Sequence, residues 1–276
     1  MNTPSSSVEN ESLDHRLLSD VAYLPNGRTE KADLYLPADI PVGQGVPAVL
    51  VIHGGGFRIG KKDNDREINI CENLVRHGYI ALSIDYALAA EGKPEWPRTL
   101  HDCKTAVRWL RANAERFQID PDRIGAIGGS AGGTLASLVA MTHPSDGLDP
   151  AEPWGEVSCA VRCCVDLYGV SDIGKWSDSV LFGKTFAEAP DLYRQASPIT
   201  YVRPAGVPQL IIHGTADATV DVSQSKDFAQ ALEKVDSPHE LILVSGAQHS
   251  FHLEPEQRDL RPAVLGFFDR YLKASV

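Results

Sequence analysis

A serine surrounded by glycines is the first feature of this sequence that could do chemistry. Ser130 lies in the stretch IGAIGGSAGG, where residues 128–132 match the pattern G-x-S-x-G. Residues 124–127 before it indicate a short buried strand, and an apolar pattern at helical spacing follows it. Because glycine adopts positive φ without steric cost, the stretch predicts a sharp strand-to-helix turn that exposes the serine hydroxyl.

A base and an orienting acid are the next requirement, because a serine hydroxyl is a weak nucleophile at neutral pH. Both candidates follow apolar strands: Asp217 in IIHGTADATV and His249 in LVSGAQHSF. The carboxyl ends of parallel strands meet at one edge of a sheet, so we predict that Ser130, His249 and Asp217 come together there. The alternatives left open are Asp221 for the acid and His53, His213 and His252 for the base.

The HGGG motif at residues 53–56 ends the first long apolar strand and could stabilise negative charge. Backbone N–H groups of such a motif complete an oxyanion hole, together with the N–H that follows the nucleophile, here that of Ala131. As a phosphate-binding loop the segment is weak, because it contains neither G-K-[ST] nor a G-x-G-x-x-G with a ribose-binding acid. The motif therefore favours acyl chemistry at Ser130.

The elements that must position these residues alternate between strand and helix. Two β-like segments come first, at residues 21–24 and 32–36. Apolar strands are then predicted at 48–52, 80–84, 124–127, 161–167, 210–212 and 241–244, and helices at 68–75, 100–117, after Ser130, at 223–235 and at 260–272. This order predicts an α/β fold with a mostly parallel sheet covered by helices on both faces.

The length of 276 residues and the composition indicate one globular domain. We predict a polar, Ser-rich N-terminal tail at residues 1–15 and a catalytic domain at residues 16–276. The net charge of −11 opposes binding to nucleic acid. No apolar run is long enough for a membrane span, and no signal peptide is visible, which predicts a cytoplasmic location unless a leader has been removed.

The five cysteines are an odd number without a C-x-x-C pair. This pattern indicates buried thiols in a reducing compartment, not disulfides or a zinc site. Cys164 is a poor alternative nucleophile because no turn or oxyanion motif surrounds it. The cysteines therefore point to no separate chemistry.

Residues from about 45 to 272 resemble the α/β-hydrolase carboxylesterases, in the neighbourhood of the hormone-sensitive-lipase-like esterases and the bacterial feruloyl and acetyl esterases (BD-FAE-like). The segments that carry the likeness are HGGGF, GGSAGG, LYGVSDI, ASPITYV, IIHGTADATV and GAQHSF. Hormone-sensitive-lipase relatives usually read D-Y-R-L-A-P-E where this chain has DYALAAE, with Ala87 and Ala90 in place of Arg and Pro. HDCKTAVRWLRANA and LYGVSDI are closer to the feruloyl/acetyl type.

The resemblance implies a serine carboxylesterase that acts on small or aromatic (acetyl- or feruloyl-type) esters through an acyl-enzyme, without a metal or organic cofactor. It implies a small or absent cap. A small-molecule ester is the expected partner, and a homodimer is left open. The implied roles are Ser130 as nucleophile, His249 as general acid/base, Asp217 as its orienter, and the N–H groups of Gly55, Gly56 and Ala131 as the oxyanion hole.

Two rival functions use the same residues differently. An arylformamidase or an acylaminoacyl-type peptidase would keep the triad and change the bond that is cleaved. A hydrolase fold retained for ligand binding is the non-catalytic alternative, which the intact motifs oppose. For the substrate pocket, the candidate wall residues are Phe57, Tyr86 and Trp176, although aromatic side chains near a sheet more often belong to the core.

Overall fold

The centre of the protein is a single β-sheet of nine strands in the described residues. The computed structural model describes residues 9–11, 15–40, 45–176 and 180–273. The strands in these residues are β1 (Glu9–Glu11), β2 (His15–Val21), β3 (Ala32–Pro37), β4 (Val46–Ile52), β5 (Ile80–Ile84), β6 (Ile119–Gly129), β7 (Cys164–Leu167), β8 (Gln209–Gly214) and β9 (His239–Val244). They pair in the order β1-β2-β3-β5-β4-β6-β7-β8-β9. The first three pairings are antiparallel, and the remaining five, from β5 to β9, are parallel.

Helices cover both faces of the sheet, as the alternating pattern predicts. They are α1 (Asp65–Arg76), α2 (Arg98–Ala112), α3 (Ala114–Phe117), α4 (Ala131–Met141), α5 (Pro190–Gln195), α6 (Ser223–Lys234) and α7 (Arg261–Phe268). Successive residues of the central strands point to opposite faces and enter two separate apolar clusters. Leu50 packs in the cluster that includes α2, α4 and α6, whereas Val51 packs in the cluster that includes α1 and α7. The α/β prediction is confirmed.

Several element boundaries differ from the prediction for local reasons. The first predicted strand, at residues 21–24, is replaced by β2, which ends at Val21. The single helix predicted over 100–117 is divided at Asn113, whose backbone leaves helical geometry and whose side-chain amide donates to the Trp109 carbonyl at 2.9 Å. Such side chain–backbone bonds compete with the helix. The last helix ends at Phe268 and continues as one turn of π-helix.

The N-terminal edge of the sheet begins inside the segment predicted as a tail. Glu9–Glu11 pairs antiparallel with β2, while residues 1–8 and 12–14 lie outside the described part of the chain. An edge strand needs only backbone partners, so a polar sequence can occupy it. The sheet therefore extends beyond the predicted boundary at residue 16.

The connection between β7 and β8 is the place where a cap could form. Its described residues contain the short helix α5 and two single turns of 3-10 helix, Ile173–Lys175 and Pro198–Tyr201. This is a small cap, as expected from the resemblance. All five cysteines are buried and unpaired, as predicted. Among the described residues, no helix has both the length and the apolar character required to cross a membrane.

The parallel strands bring the predicted chemistry to one edge. His53 follows β4, Ser130 follows β6, Asp217 lies in the loop after β8, and His249 lies in the loop after β9. All four positions are at the carboxyl ends of strands in the parallel part of the sheet, which is where α/β sheets bind ligands.

Candidate active site

Ser130 occupies the turn between β6 and α4 in a strained conformation. Its φ is 57° and its ψ is −124°, which is rare for a residue with a side chain. The Ser130 N–H donates to the Leu167 carbonyl at 2.8 Å, and its carbonyl accepts from the Thr134 N–H at 3.0 Å. These bonds to β7 and to the first turn of α4 hold the strained conformation, so the hydroxyl is fixed before any ligand binds.

The glycines around Ser130 are required by close backbone contacts. A Cβ at Gly132 would lie 2.1 Å from the Ile52 carbonyl oxygen, and one at Gly128 would lie 2.2 Å from the Gly132 carbonyl oxygen. Because real Cβ atoms do not approach oxygen this closely, any larger residue would push α4 away from β4. The glycines thus allow the serine turn to close against the end of β4.

The three side chains predicted to act together form one hydrogen-bonded chain. His249 Nε2 lies 2.9 Å from Ser130 Oγ, and His249 Nδ1 lies 2.6 Å from Asp217 Oδ2. The other carboxylate oxygen of Asp217 accepts from the N–H groups of Thr219 and Val220, both at 2.9 Å. An ionised carboxylate only accepts, so Nδ1 carries the proton and Nε2 is free to accept from the serine hydroxyl.

The geometry also separates these residues from the alternatives. Asp221 is exposed and accepts from the Ser223 N–H at the start of α6. His252 is exposed and bonds locally to the Glu254 N–H. His53 and His213 are fully buried, and neither hydrogen-bonds to Ser130. Among the described histidines, His249 is the one that contacts both the serine and the acid.

The HGGG loop lies against the serine turn. A Cβ at Gly54 would lie 2.7 Å from the Gly129 carbonyl oxygen and 3.2 Å from Ser130 Cβ. Gly55 and Gly56 both have positive φ, at 115° and 60°, so the loop curls in front of the serine. Ala131 is the first residue of α4, where backbone N–H groups have no partner within the helix and favour an anion. The arrangement suits an oxygen that acquires negative charge.

The aromatic residues predicted as pocket walls divide into two groups. Phe57 and Tyr86 each expose only 1% of their surface and belong to the core. Tyr86 stacks on the His53 ring at 4.2 Å and donates to the His53 carbonyl at 2.9 Å, so it supports the HGGG loop from below. Trp176 is half-buried and donates to the Thr219 carbonyl at 3.2 Å, beside the loop of Asp217. Of the three, Trp176 is the one whose side chain is partly exposed.

His53 itself is a neutral structural residue. Burial lowers its pKa to about 4, and its Nδ1 lies 2.6 Å from the Gly54 carbonyl. An uncharged ring can remain in the core at neutral pH without a counterion. His53 therefore shapes the glycine loop and does not supply a proton.

Tyr168 is a site residue that the sequence analysis did not identify. Its ring contacts His249 edge-on, with centroids 4.9 Å apart. Its hydroxyl accepts from Arg66 Nη1 at 3.1 Å and donates to the Phe251 carbonyl. Tyr168 thereby joins α1, β7 and the loop that carries His249. Its place directly after a strand, in the LYGVSDI segment, was the one available signal.

Loss of glycine at position 55 should disrupt the loop far more than loss at position 56. A Cβ at Gly55 would lie 2.0 Å from the Ile59 carbonyl oxygen, whereas a Cβ at Gly56 meets nothing within 4 Å. We expect Gly55→Ala to lower kcat by about 10²-fold or more, the effect of losing one oxyanion donor. Steady-state kinetics with an activated ester would measure both variants. Equal losses in Gly55→Ala and Gly56→Ala would contradict this role of the loop.

Asp166 is a second residue that the sequence analysis missed, and it lies beneath the serine turn. It pairs with Gly128 in the sheet, and its Oδ1 accepts from the Gly169 N–H at 2.8 Å. Cβ atoms at Gly133 and Gly169 would lie 2.3 and 2.4 Å from this oxygen. Burial raises the pKa of Asp166 to about 7. The carboxyl therefore fills a space that two glycines leave open.

This burial predicts a pH-dependent stability. The folded pKa lies above the ordinary value of 3.8, so between about pH 4 and pH 7 the folded state holds a proton that the unfolded state has released. Stability then falls as pH rises through this window. Asp166→Asn mimics the protonated form, and its advantage over wild type should grow between pH 5 and pH 8 by on the order of 3 kcal/mol.

Urea unfolding at the two pH values would measure this difference. The exposed Asp221→Asn variant is the matched control, because the Asp221 carboxyl is ionised at both pH values. An advantage of Asp166→Asn that is the same at pH 5 and pH 8 would contradict the assignment of the protonated form.

No metal centre is evident in the described ranges, where no group of three or more His, Cys, Asp or Glu side chains is arranged to hold an ion.

The curated relatives of this chain include proteins named as esterases. The chain is 30% identical over 224 residues to esterase LipQ of Mycobacterium tuberculosis, covering 78% of this chain and 52% of LipQ. The chain spans little more than half the length of such curated relatives.

Solved structures extend the likeness to nearly the whole chain. A truncated form of a carbohydrate esterase from gut microbiota superimposes with a TM-score of 0.84 at 23% identity, covering 99% of this chain and 100% of that one, which shows the fold. Thermogutta terrifontis esterase 2 phosphorylated by paraoxon has a TM-score of 0.77 at 26% identity, covering 95% and 94%. The same esterase with propionate bound has a TM-score of 0.77 at 25% identity, covering 92% and 93%.

The family model described as BD-FAE matches residues 32–232, from β3 through the HGGG loop and the serine turn to α6. This span is most of the chain and includes Ser130 and Asp217. The chain belongs to the BD-FAE family and has the α/β-hydrolase fold.

Proposed function

We propose that this protein hydrolyses carboxylic esters through an acyl-enzyme intermediate on Ser130. The observation that carries the proposal is the hydrogen-bonded chain from Ser130 through His249 to Asp217, at a strained turn beside the HGGG loop. The phosphorylated state of Thermogutta terrifontis esterase 2 supports it, since paraoxon reacts with an activated nucleophile in a related protein. The catalytic domain we propose is residues 16–276, to which β1 adds an edge strand.

The first half of the reaction forms the acyl-enzyme. Ser130 Oγ attacks the ester carbonyl carbon while His249 Nε2 accepts the hydroxyl proton. The carbonyl oxygen becomes negative and receives hydrogen bonds from the N–H groups of Ala131, Gly55 and Gly56. The C–O bond to the alcohol then breaks, and His249 returns its proton to the leaving oxygen. The chain is left with an ester on Ser130.

The second half restores the enzyme by the same steps. Water takes the place of the alcohol, His249 removes a proton from it, and the resulting hydroxide attacks the acyl carbon. The oxyanion forms again at the same N–H groups, and collapse releases the acid with return of the proton to Ser130 Oγ. Asp217 remains a carboxylate throughout and stabilises the imidazolium that forms twice in each cycle.

We propose small or aromatic acyl esters as the substrate class, of the acetyl or feruloyl type. The described residues of the β7–β8 connection form only short helical turns, and Ser130 exposes 8% of its surface, which favours a compact substrate. The half-buried Trp176 beside the Asp217 loop offers an aromatic surface. Propionate bound to Thermogutta terrifontis esterase 2 supports a short acyl group.

A substrate panel tests this function. We would compare p-nitrophenyl acetate, butyrate and octanoate with methyl ferulate and N-formylkynurenine, using wild type and Ser130→Ala. The expected result is turnover of the short or feruloyl esters by wild type alone. Preference for N-formylkynurenine would replace the esterase proposal by formamidase activity, and absence of turnover on every substrate would overturn hydrolysis as the function.

A further inference from the structure

His213 is a buried histidine beside the acid, and the reaction above does not use it. It lies in β8, four residues before Asp217, with a fully buried side chain. Its Nδ1 lies 2.7 Å from Ser225 Oγ of α6. Its Nε2 lies 2.9 Å from the Val220 carbonyl oxygen and 3.2 Å from Asp217 Oδ2.

The partners of the ring determine its protonation. A carbonyl and a carboxylate can only accept, so Nε2 carries a hydrogen, and Nδ1 accepts from the Ser225 hydroxyl. Both nitrogens are satisfied in the neutral ring, and burial lowers the pKa of His213, which also favours the neutral form. His213 therefore directs one N–H toward the Asp217 loop under all ordinary conditions.

We propose that His213 is a positioning residue for Asp217. It fixes the loop of residues 215–220 that follows β8, and its Nε2 approaches the carboxylate oxygen Oδ2 that His249 also contacts. The inference rests on the proposed function, because it assigns Asp217 to the reaction. Asp217 Oδ2 lies between the two imidazole rings, at 2.6 Å from one and 3.2 Å from the other. Its Oδ1 accepts from the N–H groups of Thr219 and Val220.

The carboxylate thus accepts three hydrogen bonds, from Thr219, Val220 and His249, and the His213 N–H, which donates to the Val220 carbonyl, adds a positive dipole 3.2 Å from Oδ2. Each hydrogen bond or dipole that stabilises a carboxylate weakens its electrostatic attraction for its other partners. Removing the His213 N–H leaves more of the charge facing His249 and stabilises the imidazolium. The free enzyme reacts only when His249 is neutral. In a variant that lacks the His213 N–H, the acid limb of the plot of kcat/KM against pH should therefore move to higher pH.

The ionisable groups nearest to Asp217 and His249 keep one charge state over the assayed range, whereas Asp166, beneath the serine turn, has a pKa raised to about 7 by burial. Asp221 is an exposed carboxylate whose pKa is lowered by its hydrogen bonds to Ser223. Tyr168, which contacts His249, has a pKa raised to about 12 by burial, and Arg66 beside it is a permanent cation. Asp166 is present in wild type and in every variant tested here, so a difference between their acid limbs reports the substitution and not Asp166.

The test compares His213→Leu with His213→Gln and Ser225→Ala. Leucine removes the N–H at similar volume, glutamine places an amide N–H near the position of Nε2, and Ser225→Ala removes the bond that holds the ring. His239→Gln is the matched control, because His239 begins β9 and its Nδ1 lies 2.9 Å from the Ser237 carbonyl oxygen, away from Asp217. Each variant is assayed for kcat and KM on p-nitrophenyl acetate from about pH 5 to pH 9, and its thermal unfolding is recorded.

The expected result is a shift of the acid limb by roughly 0.5 to 1 pH unit upward in His213→Leu, with kcat about tenfold lower and KM nearly unchanged. His213→Gln should restore most of both quantities, and Ser225→Ala should give a smaller shift in the same direction. The control should keep the wild-type profile.

An unmoved acid limb in both His213→Leu and Ser225→Ala would overturn the inference, whatever happens to kcat or stability, because a purely structural role moves only those. If His213→Leu does not fold, the result for Ser225→Ala decides. An unmoved acid limb in Ser225→Ala would overturn the inference, and a shifted acid limb would support it. Ser130→Ala is assayed alongside. Activity that survives in Ser130→Ala would overturn the proposed function, whereas an inactive Ser130→Ala with unmoved limbs would overturn the role of His213 alone.

Discussion

Ser130→Ala is expected to lower kcat/KM for p-nitrophenyl acetate by about 10⁴-fold or more, with little change in the unfolding temperature. The variant lacks the oxygen that attacks, and the remaining N–H groups can only polarise the ester. The backbone strain at φ 57° is present in both proteins, because a positive φ is similarly unfavourable for alanine and for serine. Steady-state kinetics and thermal unfolding measure the two quantities.

Ser83→Ala is the matched control for this prediction. Ser83 is equally buried, in β5, and donates to the Lys62 carbonyl at 2.7 Å, away from the serine turn. We expect its kinetics to match wild type. Retention of a tenth or more of the wild-type kcat/KM by Ser130→Ala would exclude Ser130 as the nucleophile.

Asp217→Asn is expected to have the next largest effect, a loss of about 10⁴-fold in kcat. The asparagine can turn an N–H toward His249 Nδ1, which now lies 2.6 Å from a carboxylate oxygen. The ring then carries its proton on Nε2, where it can no longer accept from Ser130. KM should change much less, because Asp217 is buried behind His249 and out of reach of the substrate.

Asp221→Asn separates this effect from a general loss of acidic charge in the same loop. Asp221 is exposed, accepts from the Ser223 N–H at 2.8 Å and has no hydrogen bond to His213 or His249. Its variant should remain within about twofold of wild type in kcat. A larger loss in Asp221→Asn than in Asp217→Asn would mean that the orienting acid has been misassigned.

The positions of the reacting residues could be predicted from the sequence because each follows a recognisable strand. Ser130, Asp217 and His249 come after apolar segments that the structure shows as β6, β8 and β9. Parallel pairing then places strand ends side by side, so the contact between residues 119 positions apart in the chain follows from topology. The spacing of the apolar residues is what allowed these strands to be predicted.

The supporting residues could not be predicted because their contacts cross the sheet. Asp166 and Tyr168 lie in or after β7, and nothing in their own segment reveals the glycines of α4 or the ring of His249 that they contact. His213 was an alternative for the base, and only the folded structure places it behind Asp217 instead. Such roles depend on which strands become neighbours.

Element ends were the least predictable part of the fold for a similar reason. The break at Asn113 depends on one side chain that bonds to the preceding turn, and the pairing of β1 depends on a free edge at β2. Apolar periodicity contains neither piece of information, because it records burial and not backbone partners.

Covalent labelling tests the central claim most directly. Wild type would be incubated with paraoxon, and the intact mass and the modified peptide would be determined by mass spectrometry, with Ser130→Ala treated in parallel. The account predicts one phosphoryl group per chain, on Ser130, and no stable adduct in Ser130→Ala. Modification of another residue, or an equal adduct in Ser130→Ala, would contradict the assignment of Ser130 as the nucleophile.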